Sequence, residues 1–288
     1  MNTSKHHLSR IIPFIFCILI LASGLWFGCS ANRAPKQSTL VLYAFPAEGE
    51  LLARKIAIER IDTVLGRPVH IGTIYDRNIV LAESGVGLTN AAMTTQTLLD
   101  RYHPLRVIFT GIAGAIDTSV HIGDIVVCDR WITHDYGYYG PNDFEPGAIE
   151  IYSAAHDSIT AFPCFMIDSA LFAHAIALTE AAPALDAIGE RLPSLLVGGA
   201  GVSGNSFIDN RNKRHWLSFT FEARVTDMES AAVAQVCTAN GVPYIVFRSA
   251  SDLAGGSGSA TAREELDKFF KVAARNSARV VLDYIEML

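Results

Sequence analysis

Between residues 39 and 288, short β-rich apolar runs alternate with longer amphipathic stretches, the pattern of helices packed around a central sheet. Strands are predicted at Thr39–Ala44, Asn78–Glu83, Val107–Thr110, Asp124–Cys128, Leu195–Val202, Arg224–Thr226 and Tyr244–Ser249. Helices are predicted at Glu48–Asp62, Asn90–Tyr102, Ser169–Ala181, Asn212–Phe219, Ser230–Asn240 and Ala262–Glu286. No fixed-period repeat occurs, and no Pro-, Gly- or Ser-rich linker divides this stretch, so one α/β domain is expected.

Composition excludes a disordered, collagen-like or disulfide-stapled chain: 50% of the 288 residues are hydrophobic and 18% charged. The mean hydropathy of +0.27 is high for a soluble protein, and the excess lies in one run, Ile11–Gly28. Lys5, His6, His7 and Arg10 precede it, as in a secretory signal. Gly28-Cys29 resembles the end of a bacterial lipoprotein signal, with Cys29 as the lipidated residue, although Trp26 stands where an aliphatic residue is usual. An uncleaved signal anchor and plain secretion are the alternatives, and all three place the domain outside the cytoplasm. The expected organisation is a signal at 1–28, a tether at 29–38 and a domain at 39–288. Loss of Lys5 and Arg10 takes the formal charge from −6 to −8. An acidic body without basic clusters argues against nucleic acid and against electrostatic docking on anionic lipid. Cys128, Cys164 and Cys237 show no metal-ligand spacing and are expected to pack in the core.

In open α/β sheets ligands sit at the carboxyl ends of the strands, and five loops there carry unusual residues. Phe45–Glu50 places two carboxylates, Glu48 and Glu50, just after the first strand, where a helix start also attracts acids. Ser84–Asn90 (SGVGLTN) is a tight turn that fails the dinucleotide pattern, and Thr110–Ala115 (TGIAGA) is a run of small residues suited to close packing. Asp227-Met228-Glu229-Ser230 delivers two acids from a buried strand into an Ala-rich helix, which is costly unless they bind something. Arg248 and Asp252, four apart at the end of an apolar strand, read as an ion pair or as part of a site.

Taken in order, SGVGLTNAA at 84–92, TGIAGAID at 110–117, HIGDIVVCD at 121–129, SGNSFID at 203–209, DMESAAVAQVC at 227–237 and VPYIVFRSASDLA at 242–254 resemble the nucleoside phosphorylase and nucleosidase superfamily. The nearest branch is that of 5′-methylthioadenosine/S-adenosylhomocysteine nucleosidases. The resemblance implies a mixed central β-sheet flanked by helices, a small-molecule purine nucleoside as substrate, no cofactor or metal, and a homodimer. It implies that Asp252 is the general acid at purine N7 and that Glu229 accepts hydrogen bonds from the ribose hydroxyls. Met228 would pack beside the sugar, with Arg248 steadying the Glu229 carboxylate. Phe207 would stack on adenine, the backbone of Ile208 would read its edge, and Glu48, with Glu50 as the alternative, would activate water.

Phosphorylases of this superfamily hold phosphate with cations in the first and third strand loops, but here those loops read AFPAEGE and TGIAGA. Carboxylates in a poorly solvated cleft repel a phosphate dianion, which favours hydrolysis. A phosphorylase and a nucleoside-binding lipoprotein without turnover are the rival readings. Ile112 replaces the usual Ser, Asn205 replaces an acid, and Asp227 begins a motif commonly written EMEA. The aromatic segment Trp131–Gly147 surrounds His134, a possible substrate contact in a loop that the family places near the nucleoside 5′ end and the dimer interface.

Overall fold

Apolar strands without alternation must be covered on both faces. Strand β1 (Thr39–Tyr43) is buried along its whole length. The computed structural model describes residues 37–181 and 183–288. After β1 come α1 (Pro46–Lys55), β2 (Ala57–Val64), β3 (Arg67–Ile74), β4 (Arg77–Glu83), α2 (Leu88–Tyr102), β5 (Arg106–Ala115), β6 (Ile125–Val127) and β7 (Arg130–Thr133). Then follow β8 (Gly137–Tyr139), β9 (Phe144–Pro146), β10 (Ile149–Ser153), β11 (Ser158–Phe162), β12 (Phe165–Met166) and α3 (Ser169–Ala181). The last third holds β13 (Leu195–Val197), β14 (Ala200–Ser203), α4 (Arg211–Phe221), β15 (Ala223–Asp227), α5 (Ser230–Asn240), β16 (Tyr244–Leu253) and α6 (Ala262–Met287).

Twelve strands form one mixed sheet ordered β12-β7-β14-β15-β5-β1-β4-β3-β2, with β16 beside β5 and β6 joining β16 to β13. Its centre is β5, ten residues long, which pairs in parallel with β1 and β16 and then, at Gly114 and Ala115, antiparallel with β15. The carboxyl ends of β1, β5 and β16 therefore open on the same side. Helix α6 covers β16 and β5 with small buried residues, Ala273, Ala274 and Ala278, which allow close approach. Phe247 packs edge-on against Tyr284 at 5.0 Å, and burial of each such ring contributes roughly 2–3 kcal/mol.

Two predicted elements are corrected. The helix at Glu48–Asp62 stops at Lys55, and the chain then enters β2. Ala57–Val64 is rich in β-branched residues and pairs antiparallel with β3, closed by Leu65-Gly66, both at positive φ as a tight two-residue hairpin turn requires. The single strand at Leu195–Val202 is two, because Gly198 and Gly199 take φ of +100° and +84° and break the extended run. The predicted helices Ser169–Ala181 and Ser230–Asn240 have the observed bounds. Cys128 and Cys237 are buried and Cys164 half-buried, all three unbonded to another cysteine. Among the described residues no helix is long and apolar enough to cross a membrane. The run Ile11–Gly28 and Cys29 lie outside the described residues.

Candidate active site

Five carboxylates line one cavity of about 340 Å³: Glu48, Asp227, Glu229, Asp252 and Asp267. No Lys, Arg or His is among the lining residues. Each acid of the inner group reaches the cavity from a different element. Glu48 sits in the first turn of α1, where Pro46 suits the helix start and leaves the side chain to fold back toward the sheet. One of its oxygens accepts from the Ala44 amide at 2.6 Å, the other from the Ile112 amide at 2.8 Å. Glu50, the alternative to Glu48, points to solvent and pairs with Arg54, so of the two only Glu48 lines the cavity.

Asp227 ends β15, and Glu229 stands at the N-cap of α5. Both Asp227 oxygens are taken up by its own scaffold: the hydroxyls of Ser203 and Ser230, the Ser230 amide and Arg248 at 2.7 Å. Glu229 instead accepts from the Gly87 amide at 2.8 Å, so the SGVGLTN turn spends that donor on a carboxylate of the site. Asn205, the amide where relatives carry an acid, accepts from the Leu88 amide at 3.0 Å and braces the same turn without lining the cavity.

Arg248 is completely buried behind these acids, 2.7 Å from Asp227, 3.4 Å from Glu229 and 3.6 Å from Glu48, with its guanidinium 4.2 Å from the Phe109 ring centroid. It does not pair with Asp252, and the ion-pair reading of that four-residue spacing is set aside. The space for Arg248 depends on Gly111, where a Cβ would lie 1.9 Å from Nη1 and 2.5 Å from the Glu48 carboxylate.

Asp252 is aimed by an irregularity in β16: Ala250 pairs with Ala113 but Asp252 with Gly114, so Ser251 is an extra residue that bends the strand at the cavity. One Asp252 oxygen accepts from the Ser251 hydroxyl at 2.9 Å, while the other is buried with no partner. Phe207 and Met228 line the cavity beside Ile112, and Ile208 lines a small recess that adjoins it next to Asp252. His134 is corrected: it is buried beneath Gly204, away from the cavity lining, with neither ring nitrogen hydrogen-bonded. Burial holds its pKa down despite the neighbouring Asp135.

Sequence reasoning passed over the outer wall, made by Phe45 and Val86 with Leu266, Asp267 and Phe270 of α6. The signal was present as the apolar pair Leu266 and Phe270, four apart and so on one face of the helix.

Taking carboxylates out of water disfavours their charged form. Burial pushes Glu48 up against the opposing pull of Arg248. It pushes Glu229 up to about 8 and Asp252 up to about 7, the Ser251 hydroxyl pulling Asp252 the other way. A carboxyl that keeps its proton near neutrality can donate it to a leaving group.

The match with known proteins follows this geometry. Residues 38–286 match the family model described as the phosphorylase superfamily. A 5′-methylthioadenosine/S-adenosylhomocysteine nucleosidase of Lysinibacillus sphaericus is 32% identical over 254 residues, covering 86% of this chain and 98% of that protein. The nucleosidase of Colwellia psychrerythraea, solved with adenine, superposes with a TM-score of 0.70 at 26% identity, over 88% of this chain and 96% of that one. Futalosine hydrolase of Helicobacter pylori shares the fold with a TM-score of 0.71 at 23% identity, over 88% and 99% of the two chains. The chain belongs to the phosphorylase superfamily and, within it, to the family of 5′-methylthioadenosine/S-adenosylhomocysteine nucleosidases.

The raised carboxyls carry a stability consequence. Folded Asp252 keeps its proton from its ordinary value of 3.8 up to about 7, whereas the unfolded chain has already released it. The folded state then binds more protons across that window, so this group's contribution falls as pH rises, by up to about 1.4 kcal/mol per unit. Thermal melts should show Asp252→Asn gaining on the wild type as pH is raised from about 4 to about 7; a pH-independent difference contradicts the protonated acid.

Proposed function

We propose that the domain hydrolyses the N-glycosidic bond of a purine nucleoside, releasing adenine from 5′-methylthioadenosine, S-adenosylhomocysteine or a related nucleoside. The observation that carries this reading is the gathering of Glu48, Glu229 and Asp252, all buried and all on different elements, in one cavity of nucleoside size. Cleavage passes through an oxocarbenium-like sugar, and the three acids answer its three needs. Asp252, with a proton held near neutrality and one oxygen unengaged, protonates the departing purine at N7. Glu229, anchored by Gly87 and Arg248, accepts from the ribose hydroxyls, and Met228 packs beside the sugar. Glu48 orients and deprotonates water. Phe207 stacks on the base, and the Ile208 backbone meets its edge.

Ile112 does not undo this arrangement, because its main-chain amide, independent of side chain, holds Glu48. Water is favoured over phosphate because a dianion entering among these carboxylates meets no cation at the wall. In assays of residues 29–288, adenine release from methylthioadenosine should fall roughly 10²–10⁴-fold in Asp252→Asn, with the fold retained by circular dichroism. Unchanged release would remove Asp252 from the mechanism.

The wall of Phe45, Val86, Leu266 and Phe270, with Asp267 beside it, favours an apolar, uncharged 5′ substituent over an anionic one. Methylthioadenosine should be cleaved with a kcat/KM at least about tenfold above that of a 5′-carboxylated adenosine, a difference of about 1.4 kcal/mol in transition-state binding. Equal values would contradict this charge selection.

We also propose that the enzyme is exported and held at the membrane through Cys29, on the strength of the run Ile11–Gly28, and that it works as a homodimer. Exposed Tyr138, Tyr139 and Phe219 offer apolar area suited to a subunit contact. One preparation of the full chain tests both. The expected result is a diacylated Cys29 at the amino terminus by mass spectrometry and a dimer by sedimentation; an intact Met1 or a monomer would overturn the respective statement.

A further inference from the structure

Directly behind Asp252 lies a second carboxylate that faces away from the cavity. Glu265, in the first turn of α6, is only 4% exposed. Its two oxygens accept from the amide of Leu253 at 2.8 Å and from the amide of Ser257 at 3.0 Å. The turn they clasp begins at the residue after Asp252, and the bend at Ser251 precedes it, so the Asp252 backbone is fixed on both sides. The helix needs no such residue for its start. Thr261 and Glu264 already form a capping box there, and Asp209 takes up the Ala262 amide.

We infer that Glu265 is a positioning residue for the proton donor: it locks the turn that follows Asp252 and sets a fixed negative charge against the amide of the very next residue. The inference rests on Asp252 acting as the acid. Burial is the main influence that holds the proton on that carboxyl, and the groups around it act in both directions. Glu265 from α6 and Asp209 from the segment before α4 both oppose its ionisation; Arg214 of α4 favours it, as does the Ser251 hydroxyl. Arg214 is anchored apart from Asp252, its Nε donating to the Ile116 carbonyl at 2.9 Å. A glutamine at 265 loses the charge and keeps only one of the two acceptors, so a shifted Asp252 midpoint reports the charge while a loss of stability reports the clasp.

The test is the titration of the Asp252 carboxyl by ¹³C NMR, identified by its absence in Asp252→Asn, together with the pH profile of kcat for adenine release. In Glu265→Gln the Asp252 midpoint and the alkaline limb of the profile should both move down, by about half a pH unit or more; in Arg214→Gln both should move up. Glu264→Gln, exposed and next in sequence, should leave both in place. A midpoint unmoved in both Glu265→Gln and Arg214→Gln overturns the inference, as does a loss of kcat without any shift, which marks Glu265 as structural only. Arg214→Gln probes the same field should Glu265→Gln fail to fold. The NMR titration needs no turnover, so an inactive wild type would count against the hydrolase reading and leave this one standing or falling on the midpoints.

Discussion

One buried guanidinium organises this site. Arg248 has no exposure to solvent, yet three carboxylates from three elements come within 4 Å of it. A charge so placed is tolerable only with partners, and stripping it from them would cost about 3–5 kcal/mol by stranding buried anions. Much of the surrounding sequence follows from that requirement. Gly111 is small because Arg248 occupies the space of its Cβ. Ser203 and Ser230 clamp Asp227 so that it stays with Arg248, and Phe109 offers the guanidinium a ring face.

Burial in a dry pocket disfavours the charge on these acids, and the one cation beside them offsets that only in part. Glu48 and Glu229 are accordingly pushed up despite their partner. Asp227 is saturated by its scaffold, whereas Glu229 keeps its single amide donor and a long contact to Arg248 and so has capacity left for a ligand hydroxyl. Asp252 belongs to a separate electrostatic region, set first by burial and the Ser251 hydroxyl and then by Glu265, Asp209 and Arg214. Glu48 and Glu229 on one side and Asp252 on the other therefore stand in different fields within one cavity.

Much of this was legible in the sequence because strand-end loops crowd acids, glycines and small residues where a sheet presents ligands. Glu48, Glu229 and Asp252 were singled out that way and line one cavity, while Arg248 as the companion of Glu229 was implied by the family resemblance. The edge hairpins were not, because their two-residue turns are Leu65-Gly66 and Tyr75-Asp76, and Leu and Tyr rarely take positive φ. The choice between an ion pair and a site for Arg248 and Asp252 stayed open because spacing along a strand does not reveal the extra residue at Ser251 that redirects Asp252. His134 carried the look of a binding residue within an aromatic segment, but burial under Gly204 is a tertiary fact. Glu265 was masked by its neighbour, since the capping box uses Glu264 and a helix start attracts acids in any case.

The central claim is that an acid-lined cavity without a wall cation uses water, not phosphate. The direct measurement is product stoichiometry with methylthioadenosine in phosphate-free buffer, repeated after phosphate is added to millimolar concentration. The account predicts equal amounts of adenine and free reducing sugar in both buffers and an unchanged rate. A rate proportional to phosphate, with a sugar 1-phosphate as product, would contradict it.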